Sequence, residues 1–431
     1  MANLASTTLT AGFTEKKGTS SVSGTTLTVD VSTGNYFEGD LASASGNIAT
    51  FTISNPPSAG NVGSFKIKIK QGTTARVFNW GSMTGAEPQW VDGNAPAMPA
   101  EYQTYTVYSF TTYDGGTTWY GQVIATAFDR DTPSGPWGTR GVWGGGHDGT
   151  APNAQSNVLS YVTIATTGNA TDFGDLTNAR ERSAGVSSGS RGVFAGGVTD
   201  PGTNFETTID YITIGSAGNA TDFGDLTVGR NSLGGASSTT RGVFAGGNTD
   251  ASPAHTNVMD YITIAAAGNA TDFGDLTVAR DYLSGTSNGT RALFGAGSSS
   301  GPTQNVIDYI TIGSAGNATD FGDFTVARNM VSAMSDGIRA VWAGASTYSP
   351  IDYNTIETPG NSSSFGQLSV TSWDLSAGCS DGNRGVIGGG SLPAGKTNNM
   401  DYITINYASN GTDFGNLSAP ARTGLGACSG S

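Results

Sequence analysis

Arg241-Gly-Val-Phe-Ala-Gly-Gly247, Asp260-Tyr-Ile-Thr-Ile264, Gly268-Asn-Ala-Thr-Asp-Phe-Gly-Asp-Leu276 and Ala279-Arg280 follow one another in a block of about fifty residues. The block decides the fold because the chain repeats it. Its opening arginine returns six times, as Arg140, Arg191, Arg241, Arg291, Arg339 and Arg384. Within one copy, four short stretches of strand character alternate with clusters of Gly, Ser, Asn and Asp, and no helical apolar period is sustained. In the third copy the predicted strands are Leu233 to Ser237, Gly242 to Gly246, Val258 to Ile264 and Ala270 to Leu276. Ala266-Ala-Gly-Asn269 supplies the turn between the last two, and turns such as Asn288-Gly-Thr290 in the next copy join the first two.

A single sheet of four short strands cannot bury its faces, whereas six arranged radially cover one another. The expected fold class is therefore all-β, with a six-bladed β-propeller over residues 140–431. The two ends of the repeat region support this. Gly424 to Ser431 corresponds to a first strand with no second, and Arg140 to Gly146 to a second strand with no first. Pairing them would complete one blade and tie the ring shut.

Composition agrees. Of 431 residues 65 are glycine and only 13% are charged, which suits strands and tight turns. No positive-plus-apolar leader follows Met1 and no long apolar run occurs, so neither a signal segment nor a membrane span is expected. Cys379 and Cys428 are the only cysteines; they exclude a disulfide framework and read as small core residues. Residues 1–130 carry 7 basic and 9 acidic side chains and residues 131–431 carry 13 and 25, so the repeats carry nearly all of the net charge of −14. Such a field repels nucleic acid and anionic membranes.

Gly-Gly closing the second strand and a Tyr in the third resemble the kelch family of propellers. Kelch blades place a Trp shortly after that Tyr; here the aromatic after Tyr161, Tyr211, Tyr261, Tyr309 and Tyr402 is the Phe of Asp-Phe-Gly. The Tyr-Ile-Thr-Ile, Gly-Asn-Ala-Thr-Asp-Phe-Gly-Asp-Leu and Arg-Gly-Val-Phe-Ala-Gly-Gly strings resemble repeat proteins of tailed bacteriophages, marine and cyanobacterial ones in particular. Residues 1–128 are unrelated to the repeat and β-rich, with Ser64-Phe-Lys-Ile-Lys-Ile-Lys70 placing three lysines on one face, and a β-sandwich is expected there. Arg76 to Trp80, Gln89 to Pro96 and Thr111 to Tyr120 resemble a small β-domain of phage tail-fibre and other virion proteins. Residues 129–139 read as a linker.

The resemblance implies a virion protein assembled in a host cytoplasm. Its N-terminal domain would attach to other virion proteins or oligomerise, giving a homo-oligomer. The propeller would be a tail-fibre or spike element that binds a host-surface glycan or protein, or else a capsid, neck or tail component without a receptor. A carbohydrate-active enzyme is the rival class. Against it, Thr112-Tyr-Asp-Gly-Gly-Thr-Thr-Trp119 fits the Asp-box of sialidases only once, and no paired carboxylates accompany it. The Asp-Phe-Gly strings at Asp172, Asp222, Asp272 and Asp320 match the kinase magnesium motif in letters alone, and read as an inter-sheet Phe beside a turn.

Asn169, Asn219, Asn269, Asn317, Asn361 and Asn410 open glycosylation sequons but read as turn residues. Asp175, Asp225, Asp275 and Asp323, with Asp210, Asp260, Asp308 and Asp401, recur beside Arg180, Arg230, Arg280 and Arg328. A ring of metal sites and a set of inter-blade ion pairs and caps both fit; repetition in every copy favours the second. Copper chemistry of the galactose oxidase type needs imidazoles, and the chain has only His147 and His255, in loops of different blades. No cofactor and no catalytic residue is expected. Val186, Ala236, Thr286, Met334, Cys379 and Cys428 should line the axis as a packed axle. What varies is the loop between second and third strands: 147–157, 198–208, 248–257, 298–305, 346–350 and 391–399. These loops share one face, and His147, Phe205, His255 and Tyr348 on them are the candidate recognition residues.

Overall fold

A computed structural model describes residues 16–431 except 71–75, 81–82, 84–87, 91–94, 97–103, 129–136, 150–153, 200–203, 301–302, 346–349, 371–372, 419 and 431; of 42, 104–105 and 125–128 only the backbone is described. The chain divides into two compact units, Met1–Asp131 and Thr132–Ser431. Both are β-structures, and among the described residues there is no α-helix. Most of the expected linker lies outside the described residues.

In the first unit, Thr19–Ser23, Thr26–Asp30 and Thr50–Ser54 form a three-stranded sheet. A five-stranded sheet runs in the order Tyr36–Asp40, Gly63–Lys70, Thr104–Thr112, Tyr120–Phe128, Gln89–Trp90. Leu27, Val29, Phe51 and Ile53 of the smaller sheet share one core with Phe37, Phe65, Ile67, Tyr108 and Phe110 of the larger. Strand alternation buries Phe65, Ile67 and Ile69, leaving Lys66, Lys68 and Lys70 on the other face, as their spacing requires.

The second unit contains six four-stranded antiparallel sheets, one for each copy of the block. Sheet I is Gly426–Gly430, Arg140–Gly144, Val158–Thr163 and Thr171–Asp175, in that spatial order. The strand near the C-terminus therefore pairs with the strand that opens the repeats, Cys428 opposite Val142, as the unmatched ends of the repeat anticipate. Sheet II is Ala184–Ser187, Arg191–Ala195, Thr208–Thr213 and Thr221–Asp225. Sheet III is Gly234–Ser237, Arg241–Ala245, Val258–Thr263 and Thr271–Asp275, within one or two residues of the sequence expectation. Sheets IV, V and VI begin at Ser284–Ser287, Ser332–Ser335 and Ala377–Ser380. The first strand of each sheet packs beside that of the next, and Ala377–Ser380 packs beside Gly426–Gly430.

Apolar residues fill the spaces between neighbouring sheets. Phe173 of sheet I, for instance, is buried with Phe194, Ile212 and Ile214 of sheet II. The glycine after it marks a bulge: Gly174 has φ +143°, and a Cβ there would lie 2.5 Å from the carbonyl oxygen of Gly218 in the next sheet. That close approach explains why Asp-Phe-Gly recurs.

Three sets of polar bonds repeat around the unit. Each opening arginine stacks on the Tyr of its own sheet, Arg241 at 4.3 Å over Tyr261 for example. Each also donates through Nη1 to an Ile carbonyl of the next sheet: Arg140 to Ile214, Arg191 to Ile264, Arg241 to Ile312, Arg291 to Ile356, Arg339 to Ile405 and Arg384 to Ile164. In the second set the sequon asparagines accept through Oδ1 from a fourth-strand N–H of the preceding sheet, Asn219 from Asp175 and Asn169 from Asn416 at 3.1 Å each. They are turn residues, as their sequence context suggests.

The third set is buried. Asp210, Asp260, Asp308 and Asp352 pair with Arg180, Arg230, Arg280 and Arg328 at 2.9–3.1 Å, with side chains almost wholly shielded from water. Each carboxylate also accepts from a Thr of the preceding connector, Thr227 Oγ1 to Asp260 at 2.6 Å. Burial pushes the arginine pKa values down, and the facing carboxylates oppose that shift. Two junctions depart from the expected ion pairs. Asp401 faces Ser369, because Trp373 stands where other copies have Arg. Arg422 donates to Ser160 Oγ at 2.8 Å, because Ser160 stands where other copies have Asp. Asp175 and its equivalents take no part in these ion pairs; they lie where the Asn caps bond the backbone.

Candidate functional site

Val186, Ala236, Thr286, Met334, Cys379 and Cys428 border a central cavity, as expected, but they do not pack it shut into an axle. Most of these side chains also pack into the spaces between sheets, Val186 beside Phe244 and Cys428 beside Phe173. Toward the axis stand Gly185, Gly235, Gly285, Ala333, Gly378 and Ala427, which border two stacked cavities of about 80 and 110 Å³. These positions must be small. A Cβ on Gly185 would come within 2.1 Å of the Ala427 carbonyl oxygen, and one on Gly285 within 2.7 Å of that of Gly235. The centre is a narrow channel, with Ser187, Ser237 and their equivalents and Trp137 at one end.

At the other end the channel opens into a mouth of about 70 Å³. Its rim is made by one residue from each connector into a first strand: Arg182, Ser232, Tyr282, Met330, Leu375 and Gly424. Their backbones bond head to tail: Arg182 N–H to the Gly424 carbonyl, Ser232 to Arg182, Tyr282 to Ser232, Met330 to Tyr282 and Gly424 to Leu375, at 2.6–3.0 Å. All six have left-handed backbones, with φ from +50° to +69°. Among the described residues only seven other than glycine have positive φ, and five of them are in this rim.

A second layer lies directly outside. Glu181, Asn231, Asp281, Asp374 and Thr423 precede rim residues and bridge to Val198, Asn248, Ser298, Ser391 and His147, the starts of the variable loops. Mouth and loops thus belong to one face. Burial raises the Asp281 carboxyl pKa against the opposing pull of His255, Asn248 and Arg182, and burial raises Asp374 as well.

Three of the candidate recognition residues, His147, Phe205 and His255, are spread over this face. His147 is partly buried and contacts Lys396 of the neighbouring loop. Burial lowers the Lys396 pKa, while Glu181 and Asp148 pull it back up. His255 is 20% exposed, with Nδ1 3.5 Å from Asp281 Oδ1. Phe205 is half-buried in the short strand Asn204–Phe205, which pairs with Val198–Thr199. Tyr348 lies outside the described residues. No hydrogen bond or ion pair among the described residues joins His147, Phe205 and His255 to one another, and no group of three or more His, Cys, Asp or Glu that could hold a metal ion occurs there.

The rim itself escapes a reading that looks only for long variable loops. The signal for it is present, since the pair of residues after the recurring arginine differs from copy to copy: Glu181-Arg182, Asn231-Ser232, Asp281-Tyr282, Asn329-Met330 and Thr423-Gly424. In the first unit, Asp114 of the Asp-box accepts from Thr118 N–H at 2.9 Å and from Thr112 Oγ1 at 2.8 Å. The backbone bond from Thr118, helped by the Thr118 and Thr112 hydroxyls, holds its pKa down at about 2, which marks a turn cap.

No protein-family model matches the chain, and no curated protein matches it in sequence. The site is therefore read from its own residues.

Proposed function

We propose that this protein is a binding module of a tailed-bacteriophage virion. In this reading the six sheets are the blades of a six-bladed, kelch-like propeller. The N-terminal unit is a β-sandwich-like attachment domain that joins other virion proteins or further copies of the chain, and the loop face binds a glycan or protein on the host surface. The observation that carries it is a contrast within one repeat. The inter-sheet bonds of the opening arginines recur in all six copies, whereas the rim and the loops of one face differ from copy to copy. Uniform strands with unequal loops are what a recognition scaffold needs. The phage assignment is supported by the resemblance of the repeat strings, and fold alone would not carry it. Adsorption of the full-length protein to bacterial surfaces tests the reading. Saturable binding that is lost when the loop-face residues Phe205 and His255 are changed together is expected; no binding to any surface would contradict it.

A further inference from the structure

We infer that the axial mouth is the specificity pocket of this face, and that it takes the carboxylate of a single acidic sugar at the end of a surface saccharide. The inference rests on the reading above and names the ligand chemistry of its site. Left-handed backbone costs a non-glycine residue about 1–2 kcal/mol. If the rim were only a closure device, glycine would serve at every position, as Gly424 does at one. Five positions keep side chains at that cost, and five different ones. Strain concentrated at one cavity mouth, on residues that break the repeat, points to a ligand.

The side chains define its chemistry. Arg182 is the only charged group of the rim and is about one-third exposed. Its guanidinium makes no hydrogen bond among the described residues; it lies 5.6 Å from the Tyr282 ring centre, reaching past the small Ser232, and its Nε is 3.8 Å from Glu181. A planar fork held over an aromatic ring, paired loosely with Glu181, within the field of Asp281 and making no hydrogen bond, keeps its donors for a ligand carboxylate. Met330 and Leu375 on the rim offer an aliphatic surface to the sugar ring, which stays outside a mouth of about 70 Å³. The volume admits only one terminal group. The net charge of −14 disfavours a polyanion, so one acid on an otherwise neutral saccharide fits best.

Calorimetric titration of the full-length protein with a glucuronate-terminated oligosaccharide, its glucose-terminated counterpart and an acidic peptide tests this. The glucuronate ligand should bind at least about tenfold more tightly than the other two. Arg182→Gln should abolish that preference, and Arg182→Lys should restore part of it. Arg182→Gly should abolish it without lowering the melting temperature, because glycine accepts the left-handed backbone. Equal affinity for the two saccharides, tighter binding of the peptide, or an unchanged preference in Arg182→Gln would overturn the inference. Adsorption to bacterial surfaces, run in parallel, separates the two levels. If Arg182→Gln adsorbs like the parent, the pocket inference fails and the binding-module reading survives. If the parent binds the glucuronate ligand but no surface, the pocket stands and that reading fails.

Discussion

Arg384 Nη1 donates to the Ile164 carbonyl at 3.1 Å, a bond across 220 residues of sequence that ties the sixth sheet to the first. The same residue stacks over Tyr402 at 4.2 Å. Its counterpart Arg241 makes the equivalent pair of contacts between two sheets adjacent in sequence. Arg384→Ala and Arg241→Ala should therefore cost the same, about 2 kcal/mol from the hydrogen bond and the stacking together. Urea unfolding of both variants checks this. A negligible cost at Arg384 alone would mean that the sixth and first sheets do not hold each other.

The Arg230–Asp260 pair is fully buried at 2.9 Å, and Thr227 completes the carboxylate's bonding. Asp260→Asn leaves a guanidinium uncompensated in the interior. A loss of about 3–5 kcal/mol is expected, far more than the net worth of the pair, and replacing both partners by apolar residues should cost less than this single change. A double-mutant cycle measures both quantities.

Arg422 is the same guanidinium without a carboxylate paired to it, since Ser160 faces it, although Asp148 and Asp172 act on it from further off. Burial lowers its pKa from 12.5 to about 10. Between those values the unfolded chain holds a proton that the folded chain has lost, so this group's contribution to stability improves as pH rises through that window. At neutral pH its penalty is complete. Ser160→Asp restores the pattern of four other junctions and should stabilise the protein by about 2 kcal/mol at pH 7. Destabilisation by Ser160→Asp in thermal melts would show that this junction is packed differently from its counterparts.

Asp401 is the complementary case, a buried carboxyl with no arginine, because Trp373 occupies that place and donates to the Gly389 carbonyl. Burial raises its pKa above 3.8, against the hydrogen bonds from Ser369. Between 3.8 and that raised value the folded chain holds the extra proton, so stability falls as pH rises through the window and the penalty stands above it. Asp401→Asn should leave the melting temperature at pH 7 equal or higher and remove this part of the acid dependence. Melts from pH 4 to 7 would show it; a marked loss at pH 7 would indicate an undetected cationic partner.

The repeat made the strands and their order legible in sequence, because Gly-Asn and Asn-Gly turns punctuate short β-rich stretches. Arg140 and Cys428 could be paired as strands for the same reason, each being half of a missing unit. Whether the axis is packed was not legible, since it depends on which alternate residue of a four-residue strand turns inward. Val186 and its equivalents read as a packed axle, but the small residues beside them, such as Gly185, leave the centre open, and Gly185 itself meets the Ala427 carbonyl too closely for a Cβ. The rim of Arg182, Ser232 and Tyr282 hid in two variable positions beside a recurring arginine, where variation in short connectors is easily overlooked next to longer loops.

Imaging the protein by electron microscopy in intact virions tests most directly whether it is a displayed binding module. The proposal predicts a six-lobed disc on the outside of the particle, anchored through the N-terminal unit, with the face bearing Arg182, Phe205 and His255 turned to solvent. Absence from virions, or that face buried against the particle, would contradict it.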